Sequence, residues 1–246
     1  MHSYVFPGDL DKEIAAVGSQ PIPYMRTEEF SKINLESERI LLDLIHCHGG
    51  RTIIYTGSGT GAMSAVVENY VITKGKALVI NGGSFGRRWV SLCEYYGVPV
   101  VDFKVPFAKD IDYDELERTV EAESPEVFLC QHHETSTGQI FNLEKISGIC
   151  HRHNVSLVVD VISSFLAEEL DMDALGIDIC VTSTQKGLNI PPGLSILFIS
   201  KRLEGYEYAH RGYYWDFEDN LGNLKRGQTP FSPATLIYLQ LNARLR

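Results

Sequence analysis

The sequence predicts an α/β fold: a mainly parallel central sheet with helices on both faces. Three observations carry that prediction. From Arg51 onward, short β-rich runs alternate with amphipathic helical stretches. Several of the runs are unbroken Val/Ile/Leu segments, which is what strands covered on both faces require. Repeated β–α units, finally, close into a parallel sheet through right-handed crossovers and lay helices on both sides.

Each element follows in turn. Residues 1–27 show little periodicity and contain Pro7, Pro21 and Pro23, so they read as an extended N-terminal arm ahead of a domain spanning 28–246. A helix is expected over residues 28–46. Strands are expected at 51–56 (RTIIYT), 77–81 (ALVIN), 98–105 (VPVVDFKV), 126–131 (EVFLCQ), 156–161 (SLVVDV), 178–183 (DICVTS) and 194–200 (LSILFIS). Helical patterns cover 112–122 and 143–153, with Asp112 and Asn142 placed to accept the first free backbone N–H groups. Residues 233–246 read as a helix that stops without a Gly or Pro terminator, the expectation for a chain cut within a longer one.

Bulk properties narrow the function. A hydrophobic share of 44% with 22% charged residues supplies a full core. A net charge of −10 weighs against nucleic acid or an anionic membrane surface as partner. A small anion is still admissible, since a few amides and one cation suffice to bind it. No apolar run reaches the ~20 residues needed to span a bilayer. The first residues carry Asp9, Asp11 and Glu13 and lack the basic-then-apolar order of a signal peptide, so a cytoplasmic location is expected. Five scattered cysteines (Cys47, Cys93, Cys130, Cys150, Cys180) read as reduced, mostly buried thiols. The histidine pairs His46/His48, His132/His133 and His151/His153 lack the i, i+4 spacing of a helical metal site, so no metal is expected.

Three stretches carry chemistry. TGSGTGAMSA (56–65) follows a strand and opens a helix. Its small residues admit a ligand close to the backbone, and free N–H groups at the positive end of the helix dipole suit a phosphate. Gly57, Gly59 and Ala62 also satisfy a dinucleotide motif, but the next strand ends in Asn81-Gly82-Gly83 without the acid that motif needs. No Gly-Lys-Ser/Thr follows, which excludes a Walker loop. A tight turn explains the glycines equally well. Asp160 ends an apolar strand, where it either faces a ligand or caps the next helix. Lys186 lies just past a buried strand, before a Pro-Pro-Gly turn. It is either a desolvated amine, nucleophilic towards aldehydes, or a lysine snorkelling from a strand end.

Together the three are more specific than any one alone. Pyridoxal 5′-phosphate needs a phosphate cup, an anion against its pyridine nitrogen and an amine for its aldehyde. Seven motifs then appear in order: PIPYMRTEEF (21–30), TGSGTGAMSA, NGGSFGRR (81–88), HHETSTG (132–138), VVDVISS (158–164), STQKGLNIPPG (183–193) and QTPFSPAT (228–235). In order and spacing they resemble the class V aminotransferases of fold type I, in the branch of the alanine–glyoxylate and serine–glyoxylate enzymes.

The resemblance implies a pyridoxal-phosphate aminotransferase passing an amino group from a small amino acid to a 2-oxo acid such as glyoxylate or pyruvate. Other implied readings are a 2-aminoethylphosphonate–pyruvate transaminase, another class V enzyme such as a lyase or desulfurase, or a domain that binds cofactor without turnover. By motif position, Lys186 is the Schiff-base lysine and Asp160 the pyridinium partner. Ser58, Gly59, Thr60 and Ser183 hold the phosphate, Phe85 stacks on the ring, and Thr135 and Gln185 meet its phenolic oxygen side. The family's homodimers share their sites, so Thr229 is expected to reach the neighbouring subunit's phosphate. Two departures stand out. The arm has only Pro7-Gly8 where the family has Pro-Gly-Pro, and the smaller C-terminal domain that carries the substrate-carboxylate arginine is expected to be missing. Gln185 stands where the desulfurases have histidine, which favours the aminotransferases.

Overall fold

The computed structural model describes residues 10–107, 109–209 and 212–246. Pro7 and Gly8 lie outside the described residues. The strands in chain order are β1 (Arg51–Thr56), β2 (Ala77–Asn81), β3 (Val100–Lys104), β4 (Val127–Gln131), β5 (His133–Glu134), β6 (Gln139–Ile140), β7 (Ser156–Asp160), β8 (Ile179–Ser183) and β9 (Leu194–Ile199). Seven of them form one sheet in the order β1-β9-β8-β7-β4-β2-β3, while β5 and β6 make a separate short hairpin. From β3 across to β8 every pair is parallel.

The exception is β9, antiparallel to both neighbours. Its physical cause is the connection: β8 and β9 are joined by residues 184–193, which contain no crossover helix. A parallel return needs a crossover of a dozen or more residues, so a short link can only double the chain back.

The helices are α1 (Lys12–Val17), α2 (Glu28–Leu44), α3 (Gly59–Asn69), α4 (Ser84–Tyr96), α5 (Tyr113–Glu123), α6 (Leu143–Arg152), α7 (Phe217–Leu224) and α8 (Thr235–Leu245). Thr27, Asp112 and Asn142 cap α2, α5 and α6, their side chains accepting from Phe30, Glu115 and Lys145 N–H groups. The N-terminal arm is not extended throughout. Residues 12–17 form α1, whose Ile14 is buried and whose Ile14 carbonyl accepts from Gln240 Nε2 of α8 at 3.2 Å.

Two apolar cores lie on opposite faces of the sheet. One gathers Phe30 and Leu41 of α2, Leu116 of α5, Ile146 of α6 and Tyr238 of α8 against Leu78, Phe128, Leu157 and Phe198. The other gathers Met63 and Val66 of α3, Trp89 and Cys93 of α4 and Phe217 of α7 against Val79, Leu129, Val158 and Val181. Adjacent residues of one strand enter opposite cores, as the two-residue period of a strand demands. All five cysteines are buried and unpaired. No helix among the described residues is long and apolar enough to cross a membrane.

Candidate active site

Because β1, β2, β4, β7 and β8 point the same way, their carboxyl ends meet along one edge. Register fixes the alignment: Gln131 pairs with Asp160, Asp160 with Val181, Ser183 with Ser195, and Thr56 with Leu194. In open α/β sheets that edge is where ligands bind, and the sequence-nominated residues gather there.

The glycine loop divides into two roles. A Cβ on Gly59 would lie 2.5 Å from Ile162 Cδ1 and 3.3 Å from Ser183 Oγ, so Gly59 faces the ends of β7 and β8. Gly57 and Gly61 face outward instead: a Cβ on either would lie 3.0 or 2.8 Å from the Trp215 ring. Ser58 caps α3, its side chain accepting from Gly61 N, and Thr60 Oγ1 accepts from Arg88 Nη1 at 2.9 Å. Gly57 N donates to Gly193 O at 2.9 Å, which ties this loop to the Pro-Pro-Gly turn after Lys186.

Asp160 is 4% exposed. Its Oδ1 accepts from Ile162 N at 2.8 Å. Burial pushes its carboxyl up to about 7; the Ile162 N–H lowers it, the Glu134 carboxylate raises it, and the Arg88 and Lys186 charges pull it back down. Next to it, the Thr135 and Ser163 hydroxyls are hydrogen bonded to each other, joining the loop after β4 to the loop after β7.

Lys186 and Gln185 are half-buried at the start of the β8–β9 connection. That loop is held from several sides. Thr184 Oγ1 donates to Pro191 O at 2.8 Å, Asn189 N donates to Lys186 O at 2.8 Å, and Arg244 Nε of α8 donates to Leu188 O at 2.9 Å. Gly187 is irreplaceable, since a Cβ there would stand 2.1 Å from the Phe165 carbonyl oxygen.

Phe85 is half-buried in the first turn of α4, and the Arg88 guanidinium stacks over its ring at 4.7 Å. Thr229 lies on the loop before α8. Its hydroxyl donates to Phe231 O at 2.8 Å within its own loop, and its carbonyl accepts from Arg26. Within one chain, then, Thr229 is turned inward to its loop rather than across to the other site groups.

The sequence reading missed two residues here. Glu134 is fully buried and accepts from Phe85 N, Gly86 N, Gln131 Nε2 and Ser136. An acid three residues past the end of a buried strand, in the otherwise neutral run ETSTG, was the available signal. Arg88 joins Phe85 to Thr60, and its position one turn after Phe85 is the corresponding signal.

Pyridoxal phosphate fits these residues on the structure's own terms. Ser183 Oγ is buried and lacks a hydrogen-bond partner, which is costly unless a ligand supplies one. It lies beside Gly59, where only hydrogen occupies the space that a side chain would fill. The buried Asp160 carboxyl stands ready for a cation.

The comparisons agree. The aminotransferase class-V family model matches residues 15–208. The chain is 31% identical to the serine–glyoxylate aminotransferase of Hyphomicrobium methylovorum, an alignment covering 97% of this chain and 61% of that one. It is also 31% identical to a soluble hydrogenase 42 kDa subunit from Anabaena cylindrica, covering 94% and 62%. Among solved structures, a subgroup IV aspartate aminotransferase from Thermus thermophilus superposes with a TM-score of 0.89 at 28% identity, covering 96% of this chain and 67% of that one. An alanine–glyoxylate aminotransferase from Nostoc sp. gives 0.90 at 25%, covering 98% and 65%. The chain thus spans about three fifths of the length of the curated relatives it matches. Its sheet order, the three motifs meeting at the sheet's carboxyl edge and the family match have one reading: the chain belongs to the class-V aminotransferases, the pyridoxal-phosphate enzymes of fold type I.

Proposed function

We propose that this chain is the cofactor-binding part of an aminotransferase that moves an amino group from a small amino acid to a 2-oxo acid such as glyoxylate or pyruvate. The observation that carries the reading is the meeting of the Gly59–Ser183 cradle, the buried Asp160 and Lys186 on one sheet edge. Residues 28–246 form the large domain in this reading, with residues 1–27 as its arm.

When bound, pyridoxal phosphate supplies an electron sink for the carbanion formed at the substrate's Cα. Lys186 would hold the cofactor through its amine and would carry the proton that leaves the substrate's Cα. Asp160 holds a proton on the ring nitrogen, and in doing so gains the counter-ion its burial calls for. Ser58, Gly59 and Thr60 offer N–H and hydroxyl donors at the start of α3, where the helix dipole favours a phosphate, and Ser183 adds its unpartnered hydroxyl. Phe85 supports the ring face, while Thr135 and Gln185 orient its phenolic oxygen. Thr229 serves the site of a neighbouring subunit in a homodimer. Unpaired, buried cysteines fit a reducing compartment such as the cytoplasm.

A second reading has one observation of its own. The chain is 30% identical to a 2-aminoethylphosphonate–pyruvate transaminase from Polaromonas sp. over 220 residues. Half-reaction spectra with serine, alanine and 2-aminoethylphosphonate separate the two. Loss of the visible cofactor band with serine or alanine supports the first reading, and loss with the phosphonate alone replaces it by the second. A protein that shows no borohydride-sensitive band after addition of pyridoxal phosphate refutes both.

A further inference from the structure

Helix α4 begins without a cap of its own. Its N-cap residue is Gly83, which makes no side-chain capping bond, so the first-turn N–H groups need acceptors from elsewhere. Glu134, at the end of the short strand β5, provides them. Its Oε2 accepts from Phe85 N at 3.2 Å and Gly86 N at 3.0 Å, and from Gln131 Nε2 at 2.8 Å. Its Oε1 accepts from Ser136 N at 3.1 Å and Ser136 Oγ at 2.6 Å. Ser136 Oγ also accepts from Ser84 N at 2.9 Å. A carboxylate at a helix N-terminus is favoured by the dipole, and five donors satisfy it without water.

Gly83 leaves room for this carboxylate, and Gly86 for the Gln131 amide that donates to it. A Cβ on Gly83 would lie 2.3 Å from Ser136 Oγ and 2.7 Å from the Glu134 carboxyl carbon. One on Gly86 would lie 2.4 Å from both Gln131 Nε2 and the Ile80 carbonyl oxygen. Phe85 sits between those glycines. Its backbone is therefore fixed by Glu134, while its ring is backed by Arg88, which in turn reaches Thr60 of the phosphate loop.

We propose that Glu134 is a positioning residue: by locking the first turn of α4 it sets where Phe85 stands against the cofactor ring. The inference rests on the pyridoxal-phosphate reading above and goes beyond it, since Glu134 itself touches neither ring nor phosphate in this account. An acceptor-only carboxylate is required because four of its five donors are N–H groups. Glu134→Gln would turn an amide donor toward some of them.

The test is a double-mutant cycle read by binding rather than turnover. The probe is 4′-deoxypyridoxine phosphate, which keeps the phosphate and ring but cannot condense with Lys186. Wild type, Glu134→Gln, Phe85→Ala and the double variant are titrated by ligand fluorescence, and the melting of each apoprotein is recorded. Glu134→Gln is expected to weaken the probe about tenfold. In the double variant the loss is expected to equal that of Phe85→Ala alone, because the two residues act through one contact. Should Glu134→Gln fail to fold, Ser136→Ala takes its place in the cycle, with a smaller loss and the same non-additivity. Unchanged probe affinity, or losses that simply add, overturns the inference while leaving the cofactor reading intact. If wild type neither binds the probe nor forms a borohydride-sensitive band with pyridoxal phosphate, the cofactor reading falls and this inference with it.

Discussion

Asp160 and Asp178 are carboxylates at opposite edges of the same sheet, and the chain surrounds them differently. Asp178 precedes β8 at the amino edge. It accepts from Arg202 Nη2 at 3.0 Å and from Leu157 N at 2.9 Å, so burial still raises its carboxyl but a neighbouring cation and a strand amide oppose it in part. Asp160 ends β7 at the carboxyl edge. It draws the Ile162 N–H, and burial outweighs the pull of Arg88 and Lys186 enough to bring the carboxyl up to about 7. One edge completes its electrostatics from within the chain. The other holds a carboxyl that, in the proposed function, a cationic ligand would serve, and the unpartnered Ser183 hydroxyl on the same edge fits that reading.

The largest expected effect breaks the comparison outright. Lys186→Ala is expected to abolish the borohydride-sensitive absorbance band, and a band that persists in the variant moves the anchor to another residue. Asp160→Asn comes next. Affinity for pyridoxal phosphate, read by equilibrium titration, is expected to fall on the order of 10- to 100-fold through loss of the charge partner.

The apoprotein of that variant behaves in the opposite sense. A carboxyl raised from 3.8 to about 7 contributes stability that is fully present below pH ~4 and is lost as pH rises through about 7. The loss in wild type amounts to about 4 kcal/mol, and Asp160→Asn removes it. Urea unfolding at pH 5 and pH 8 checks this: the variant's advantage must grow with pH. An advantage that stays flat or shrinks means that Asp160 is already ionised and paired in the apoprotein.

Asp178→Ala sharpens the contrast at the amino edge. It leaves the Leu157 N–H without its acceptor and is expected to cost about 1–3 kcal/mol of stability, with cofactor affinity unchanged. A matching drop in cofactor affinity shows that the two edges are coupled. The smallest effect belongs to Ser183→Ala. Apoprotein stability is expected to hold, because the hydroxyl has no partner to lose. Cofactor affinity is expected to fall about 5- to 10-fold, roughly the worth of one hydrogen bond. Equal affinity in equilibrium titrations takes Ser183 out of the phosphate cup.

Much of this was legible in the chain itself. Unbroken runs such as VFLCQ and ICVTS become strands buried on both faces because no other placement hides every side chain. Asp112 and Asn142 start helices because a side-chain oxygen finds N–H groups two or three residues on, a contact within reach of local sequence. The place of Asp160 at the end of one strand and of Lys186 just past another was visible in the same way, since buried strands set where the sheet's carboxyl edge lies.

What the tertiary structure alone decided depends on partners far along the chain. The reversal of β9 comes from a loop whose length was visible but whose lack of a helix was not. Gly59 faces Ile162 and Ser183 while Gly57 and Gly61 make room for Trp215, and nothing local separates three glycines in one motif. Helix α1 starts under its own Asp11 cap, but its Ile14 is buried and its Ile14 carbonyl is met by Gln240 of α8, more than 200 residues on. Glu134 looked like one acid in a polar loop until the fold brought the uncapped end of α4 to it. Sequence patterns report which surfaces must be buried and which short-range bonds can form. Which distant groups meet there, and so which charge is satisfied and which is left for a ligand, is settled only when the layers pack.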